Sequence, residues 1–400
     1  MTAALDAAAI QDRFAVHPAR GFLPEHDPLR RLPAEFDAWE QLAGELPKLL
    51  VTDQTRQRVK SMPELDPTPL NSDADRERKL DRAMLLLSYI GHAYVWGEGA
   101  DEVNAAQSIP ANLARPWHAV SEMLGRPPIL SYASYALHNW YRPDPDRKIE
   151  VGNIALLQNF WGGADEEWFV LIHVAIEYQA TGALTNLIPA QEAAAREDWP
   201  ALTNHLRQIA DSCDEMYKTL CDMPIMCDPH TYFRRVRPYI FGWKNNPALP
   251  NGMTYEGVDA YDGKGQLFRG ETGAQSSIVP ALDAVLNVEH APDPLRDYLM
   301  EMRNYMPPKH RAFIAHLENN HPIRPAVERL GNAELTEQFD RCAKRLADFR
   351  AKHYEYAASY IHKQADQNQA NPSDIGTGGT PFMKYLKKHL DETTASTPAT

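Results

Sequence analysis

Long stretches of this chain repeat apolar residues every three or four positions, which is the spacing of one face of an α-helix. Residues 74–95 have this pattern, and so do residues 199–222 and 334–364. Residues 165–187 begin with acidic side chains, as helix N-termini favour, and are then apolar on every side, which predicts a buried helix. Successive segments do not alternate apolar and polar residues, so the sequence predicts an all-α protein.

The length of 400 residues exceeds what one hydrophobic core usually serves, and this predicts two domains. Residues 142–151 are rich in proline and in charged side chains, as linkers often are. We therefore expect a smaller N-terminal helical domain in residues 1–145 and a large C-terminal helical bundle in residues 146–400.

A net charge of −13 disfavours binding to nucleic acid or to an anionic lipid surface. The four cysteines form no CxxC pair, which is typical of a reducing compartment. The first residues have no cationic stretch, so we expect no secretory leader, and the sequence contains no run of about 18 apolar residues. We expect a cytoplasmic protein that is a monomer or a weak homo-oligomer and contacts neither nucleic acid nor a membrane.

One histidine lies in a stripe of otherwise apolar residues that follow one another at helical spacing. The stripe comprises Phe339, Cys342, Leu346, Phe349, His353, Ala357 and Tyr360. His353 is a core histidine with one satisfied nitrogen, a metal or haem ligand, or an interface residue. The absence of an HxxxH or HExxH pattern disfavours zinc, whereas an axial haem ligand needs no second histidine at fixed spacing.

Two further features have both structural and functional interpretations. His173 lies one helical turn from Phe169 and from Glu177. It is a core histidine, one bonded to the Glu177 carboxylate, or a functional histidine. Residues 231–243, TYFRRVRPYIFGW, combine three arginines with five aromatic residues. Such a cluster suits a planar anionic ligand, because guanidinium groups bind carboxylates bidentately, but ordinary salt bridges at a helix end also explain it.

Five runs of sequence, in order, resemble the indoleamine 2,3-dioxygenase family. They are RPYIFGWKNNPALPNGMTYEG (237–257), GAQSS (273–277), MRNYMPPKHRAF (302–313), FRAKH (349–353) and GTGGT (376–380). The likeness covers about the C-terminal two-thirds of the chain, is weaker from about residue 85 and is poor before it. The resemblance implies a dioxygenase that uses ferrous haem b, held in the C-terminal domain, and O2 to open the indole C2–C3 bond of L-tryptophan or a related indoleamine, giving N-formyl-L-kynurenine.

The resemblance also implies roles for individual residues. His353 falls on the proximal haem ligand, Asp283 on an acidic residue near that ligand, and Arg350 on an arginine that faces a haem propionate. A carboxylate near the ligand would raise the basicity of its imidazole. Arg237 falls on the arginine that binds the substrate carboxylate. The other matches are pocket walls (Phe169, Tyr232, Phe233 and Ile240), a loop at the haem edge (Thr272 and Gly273) and a threonine near the substrate ammonium (Thr377).

The sequence departs from the mammalian members of this family at two positions. His173 stands where they have serine, and Tyr232 stands where they have phenylalanine. The related tryptophan 2,3-dioxygenases use a distal histidine to hold the indole N–H, so we expect His173, with Arg237, to act in catalysis and to favour tryptophan. Monooxygenation or rearrangement of a tryptophan derivative, and a non-catalytic haem-binding sensor, are the alternatives.

Residues 366–380 are polar and then rich in glycine, which predicts a mobile loop. The GTGGT run lacks the lysine of a phosphate-binding loop. Because the family's closing loop lies here, we expect residues 366–380 to become ordered when substrate binds.

Overall fold

The computed structural model describes residues 5–72, 74–97, 104–288, 290–364 and 371–395. Within these ranges the prediction of an all-α protein is confirmed, since the only strands are the two-residue segments Ser108–Ile109 (β1) and Thr254–Tyr255 (β2), which pair in parallel. The helices are α1 (Ala7–Phe14), α2 (Asp37–Val51), α3 (Thr55–Ser61), α4 (Arg76–Trp96), α5 (Ala111–Leu124), α6 (Ala164–Gln179), α7 (Thr181–Ala195), α8 (Trp199–Cys221), α9 (Pro229–Thr231), α10 (Ile278–Leu286), α11 (Pro294–Met302), α12 (Pro308–Leu317), α13 (Ile323–Leu330), α14 (Ala333–Ala357) and α15 (Phe382–Ala395). None of the helices in this described part is long and apolar enough to cross a bilayer.

Three of the four predicted long helices are present as α4, α8 and α14, and α14 continues as a π-helical stretch over Ala358–His362. The prediction of one helix over residues 165–187 is wrong, because the chain turns at Ala180 between α6 and α7. The Thr181 hydroxyl donates to the Tyr178 carbonyl at 2.6 Å, a local bond that competes with the helical ladder. Gly182 then packs closely against Ser212, so that α7 lies on α8.

Two buried apolar clusters share α6 as a common wall. The first joins α2, α4 and α5 with residues 239–258, and the second joins α7, α8, α10, α12 and α14 with α1. From α6, Val170 and Val174 belong to the first cluster and Ile172 to the second. Each cluster contains residues from both sides of residue 145, so the domain boundary at that residue stays a prediction.

His92 of α4 fixes the segment that carries the aromatic–arginine cluster. Its Nδ1 lies 2.7 Å from the Tyr239 carbonyl, and its Nε2 lies 3.1 Å from the Leu130 amide. Since a carbonyl can only accept, Nδ1 carries the proton and Nε2 accepts from the amide. Burial lowers the pKa of His92 to about 3, so the ring stays neutral and holds both bonds. The segment folds as a π-helical turn, Tyr232–Val236, followed by a 3-10 turn, Arg237–Ile240.

Gly242 and Gly270 allow the loop that contains Gly270 to cross this segment with the two backbones in van der Waals contact. A Cβ atom on Gly242 would lie 2.0 Å from the Gly270 nitrogen, and one on Gly270 would lie 2.2 Å from the Gly242 nitrogen. Only glycine fits at either position without moving backbone. The crossing places Glu271 beside Ile240, whose carbonyl accepts from the Glu271 amide at 3.0 Å.

Candidate active site

A cavity of about 1260 Å³ lies between α6, α10, α14 and α15. Its volume exceeds the roughly 300–1,000 Å³ that accommodates one small ligand, so a cofactor and a substrate can share it. The residues predicted from sequence that line it are Phe169, His173, Tyr232, Thr272, Gly273, Asp283, Arg350, His353 and Thr377. The other three, Phe233, Arg237 and Ile240, are buried outside this lining.

His353 projects from α14 into the cavity. Phe339 and Leu346, earlier in its stripe, pack in the core, whereas Phe349 and Ala357 also line the cavity. The side chain is exposed to the cavity although protein surrounds it. Burial, together with His173 and Arg350, lowers the pKa of the His353 imidazole to about 4, which keeps it neutral. Within the described ranges no residue forms a hydrogen bond or ion pair with His353, so its nitrogens are available to a ligand.

The tautomer of His173 follows from its hydrogen bond. Its Nδ1 lies 2.7 Å from the Phe169 carbonyl, which can only accept, so Nδ1 carries the proton and Nε2 presents a lone pair. Burial lowers the pKa of His173, which favours this neutral form. The rings of Phe169 and Tyr132 lie 4.7 and 6.0 Å from the imidazole. His173 is therefore a hydrogen-bond acceptor set among aromatic rings, and Glu177 bonds to Ser276 at 2.8 Å instead of to this histidine.

Arg237 is a fully buried cation without an ion-pair partner among the described residues. Its two terminal nitrogens donate to the Asn371 side chain and to the Ile375 carbonyl, and its Nε has no partner in the same ranges. Burial lowers the pKa of Arg237 to about 10, although Tyr232 and Asp374 oppose that shift, so the guanidinium stays charged at neutral pH. An anion that reached this group would replace neutral acceptors with a charged one.

Residues 371–380, the described part of the predicted mobile loop, pack against the site, and residues 366–370 lie outside the described residues. The Thr377 hydroxyl donates to the Glu271 carbonyl at 2.5 Å, and Arg269 donates to the Gly378 carbonyl at 2.6 Å. Gly379 has a φ of +74°, and a Cβ there would lie 2.3 Å from the Lys244 carbonyl oxygen. Glycine at this position thus lets the segment lie directly on the backbone beneath it.

On the side of the cavity nearest α15, a charged cluster joins that helix to α10 and α14. Asp283 lies 2.7 Å from the Arg350 guanidinium and 3.2 Å from His290, and the other nitrogen of His290 lies 2.6 Å from Glu392. Arg350 also donates to the Thr393 hydroxyl. Asp283 therefore does not hydrogen-bond His353 here, although its buried Oδ1 has no partner within the described residues.

Sequence reasoning did not identify three of the residues that line the cavity, namely Tyr132, Glu271 and His290. Tyr132 and His290 lie outside the matching runs and reach the cavity through tertiary packing. Glu271 lies two residues before the GAQSS run, and an acidic residue beside two glycines was the only signal available.

The donor set of the cavity fits haem better than a bare metal ion. In the part of the chain that the structure describes, no group of three or more His, Cys, Asp or Glu side chains could hold a metal. A porphyrin supplies its own equatorial nitrogens and needs one protein ligand, and His353 lines the cavity with a neutral imidazole, a group that commonly binds haem iron. The aromatic lining and the nearby Arg350 suit the flat apolar ring and its acidic edge.

The fold and cavity define an all-helical protein with a large cavity that two histidines, His173 and His353, help to line. Comparison with known proteins identifies the family: the chain belongs to the indoleamine 2,3-dioxygenase family, whose profile matches residues 10–396, and it is a haem dioxygenase. Indoleamine 2,3-dioxygenase 1 of Rattus norvegicus is 36% identical over 385 residues, covering 93% of this chain and 92% of the rat protein. Indoleamine 2,3-dioxygenase 2 of Homo sapiens is 34% identical, covering 92% and 91%, and the indoleamine 2,3-dioxygenase of Saccharomyces cerevisiae is 31% identical, covering 97% and 93%. The resemblance inferred from five runs is confirmed and extends further towards the N-terminus than those runs indicated.

The contacts of His290 predict a pH window for the docking of α15. Burial opposes both charges, yet Arg350 and His290 lower the pKa of Asp283 from 3.8 to about 2, and Asp283 and Glu392 raise the pKa of His290 above 6.5. Because the pKa of Asp283 is lower in the folded state, its ionised form stabilises the fold above pH 3.8, and this stabilisation is lost as the pH falls towards 2. Because the pKa of His290 is higher in the folded state, its protonated form stabilises the fold below pH 6.5, and this stabilisation is lost as the pH rises through the pKa of His290 in the folded state.

We expect amide protection in α15, measured by hydrogen exchange and corrected for intrinsic rates, to be greatest between these two limits. His290→Gln should remove the decline on the alkaline side and leave the acid decline in place. An unchanged alkaline decline in that variant would assign it to another group.

Proposed function

We propose that this chain opens the indole C2–C3 bond of L-tryptophan with both atoms of O2 and forms N-formyl-L-kynurenine, using ferrous haem b. The observation that carries the proposal is the neutral His353 imidazole, which projects into the cavity without a protein partner among the described residues. The relatives are named indoleamine 2,3-dioxygenases in mammals and yeast, and this supports an indole substrate.

His353 would hold the haem iron, and Arg350 would face a propionate while it remains bonded to Asp283. The haem supplies the dioxygen chemistry when bound, and the protein supplies position and electrostatics. Asp283 restrains Arg350 and so fixes where the guanidinium points. Phe169 and Tyr232, whose rings lie 4.6 Å apart, form an apolar wall that excludes water from the indole.

His173 and Arg237 would orient the substrate at its two polar ends. The Nε2 lone pair of His173 accepts the indole N–H, and the guanidinium of Arg237 binds the carboxylate, with Thr377 near the ammonium. Because Asn371 and Ile375 occupy the Arg237 nitrogens, the carboxylate reaches them only as this segment shifts. We therefore expect residues 366–380 to change protease sensitivity when L-tryptophan binds.

The cellular setting is part of the same proposal. All four cysteines are free, which agrees with a reducing, cytoplasmic compartment. We propose that the protein works as a monomer or weak homo-oligomer on small-molecule substrates.

The product distinguishes the proposed reaction from its alternatives. Reduced, haem-loaded protein is mixed with L-tryptophan and isotopically labelled O2, and the mass of the product is measured by mass spectrometry. We expect two labelled oxygen atoms in one product. A single labelled atom would indicate monooxygenation, and a haem-loaded protein that leaves L-tryptophan unchanged would be a sensor or carrier.

Substitution of Arg237 tests the carboxylate contact. Removing one partner of a buried charge pair costs about 2–5 kcal/mol, so Arg237→Ala should lower kcat/KM for L-tryptophan roughly 30-fold to several thousand-fold. The haem absorbance spectrum should stay that of the wild type. Arg235→Ala, which removes an exposed arginine from the same turn, is the matched control. Turnover by Arg237→Ala within the range of this control would refute the assignment.

Substitution of His173 tests the indole contact. A hydrogen bond between neutral groups contributes about 0.5–1.5 kcal/mol, so His173→Ala should reduce the preference for L-tryptophan over its 1-methyl analogue roughly 2- to 10-fold, measured as a ratio of kcat/KM values. His173→Gln keeps an acceptor on a side chain of similar reach and should retain part of the preference. Equal preference in wild type and His173→Ala would show that the imidazole does not recognise the indole nitrogen.

A further inference from the structure

Hydrogen bonds to the backbone amide and the backbone carbonyl of Glu271 fix this residue in the cavity wall. Its amide donates to the Ile240 carbonyl at 3.0 Å, and its carbonyl accepts from the Thr377 hydroxyl at 2.5 Å. The preceding residue, Gly270, crosses the backbone of Gly242, so the loop has no room to shift away. Glu271 is only 4% exposed, and it lines the cavity.

The Glu271 carboxyl group has no hydrogen-bond or ion-pair partner within the described residues. Burial raises its pKa to about 8, which reflects the cost of placing a negative charge here without a partner. Tyr132, Tyr135 and Tyr232 lie close enough to Glu271 for a charge on its carboxylate to raise the pKa of their hydroxyl groups. These neighbours are neutral, so the surrounding wall provides no compensating cation.

The nearby arginines are already engaged elsewhere. Arg237 donates to Asn371 and Ile375, and Arg269 pairs with Glu301 at 2.7 Å. Because no described residue pairs with the Glu271 carboxyl group, a molecule that enters the cavity can supply a cation for it. A charge-assisted hydrogen bond to such a cation would restore the ionised form of the carboxylate.

We propose that Glu271 binds the ammonium group of the substrate and makes the enzyme selective for indoles that carry an amino group. The inference rests on the proposed function, in which Arg237 binds the carboxylate of the same molecule. Residues 371–380 contact both residues: Asn371 and Ile375 accept from the Arg237 guanidinium, and Thr377 donates to the backbone carbonyl of Glu271. One segment thus links the positive and the negative site for a zwitterionic amino acid.

The test compares two ligands that differ only in the amino group. L-tryptophan and indole-3-propionate are titrated into haem-loaded ferric protein without reductant, so that no turnover occurs, and binding is followed by the change in haem absorbance. Glu271→Gln removes the charge and keeps the shape. Glu177→Gln is the matched control, because it removes a buried carboxyl group that is bonded to Ser276 and lies outside the cavity lining.

Wild type should bind L-tryptophan more tightly than indole-3-propionate. Since a hydrogen bond to a charged group contributes about 1.5–3 kcal/mol, Glu271→Gln should weaken L-tryptophan binding roughly 10- to 100-fold and change indole-3-propionate binding by less than about twofold. Glu177→Gln should keep the wild-type preference. The proposal is overturned if Glu271→Gln keeps that preference, or if both ligands weaken equally.

Glu271→Asp covers the case in which Glu271→Gln does not take up haem. It retains the charge on a shorter side chain, and it should preserve a reduced preference for L-tryptophan. Wild type that binds both ligands equally would overturn the proposal without any variant. A failure of the proposed function is distinguishable from a failure of this proposal. In that case the labelled-oxygen experiment would give no product, while the protein would still bind L-tryptophan more tightly than indole-3-propionate.

Discussion

Desolvation of polar groups around one cavity is the constraint on which the rest of the structure depends. Arg237 and Glu271 are enclosed by protein, His353 opens into the cavity, and none of the three has an ion-pair partner within the described residues. Proteins usually pair such groups, because an unsatisfied buried polar atom costs about 1–3 kcal/mol. Retaining several together is consistent with a site whose partners are ligands, and binding of those ligands stabilises the folded chain by mass action.

The scaffold around the cavity is correspondingly rigid where the recognition groups attach. His92 ties the Arg237 segment to Leu130 by donating to the Tyr239 carbonyl and accepting from the Leu130 amide, and the crossing of Gly242 and Gly270 fixes the loop that carries Glu271. Helix α6 belongs to both apolar clusters and holds His173 between them. Preorganisation of this kind matters because an error of about 1 Å in substrate position can cost about 100-fold in rate.

The sequence predicted the long helices and the histidine of the cavity because both depend on local periodicity and on short matching runs. It did not predict the break at Ala180, where a threonine hydroxyl and close packing of Gly182 outweigh an uninterrupted apolar pattern. The contact between His290 and Glu392 joins residues 102 positions apart, and no local pattern reports it. Burial of Arg237 behind the cavity wall is likewise a tertiary property, since exposed and buried arginines look alike in a sequence.

The arrangement of α15 connects cofactor binding with the end of the chain. His389 and Glu392 line the cavity, so a group bound there contacts the helix that closes one of its sides. Polar contacts from His290 to Glu392 and from Arg350 to Thr393 hold that helix in place, and both His290 and Arg350 line the cavity. A haem propionate near Arg350 would therefore act on the same charged cluster that docks α15. Docking of α15 and retention of the cofactor would then be linked, and each would change the other by the same free energy.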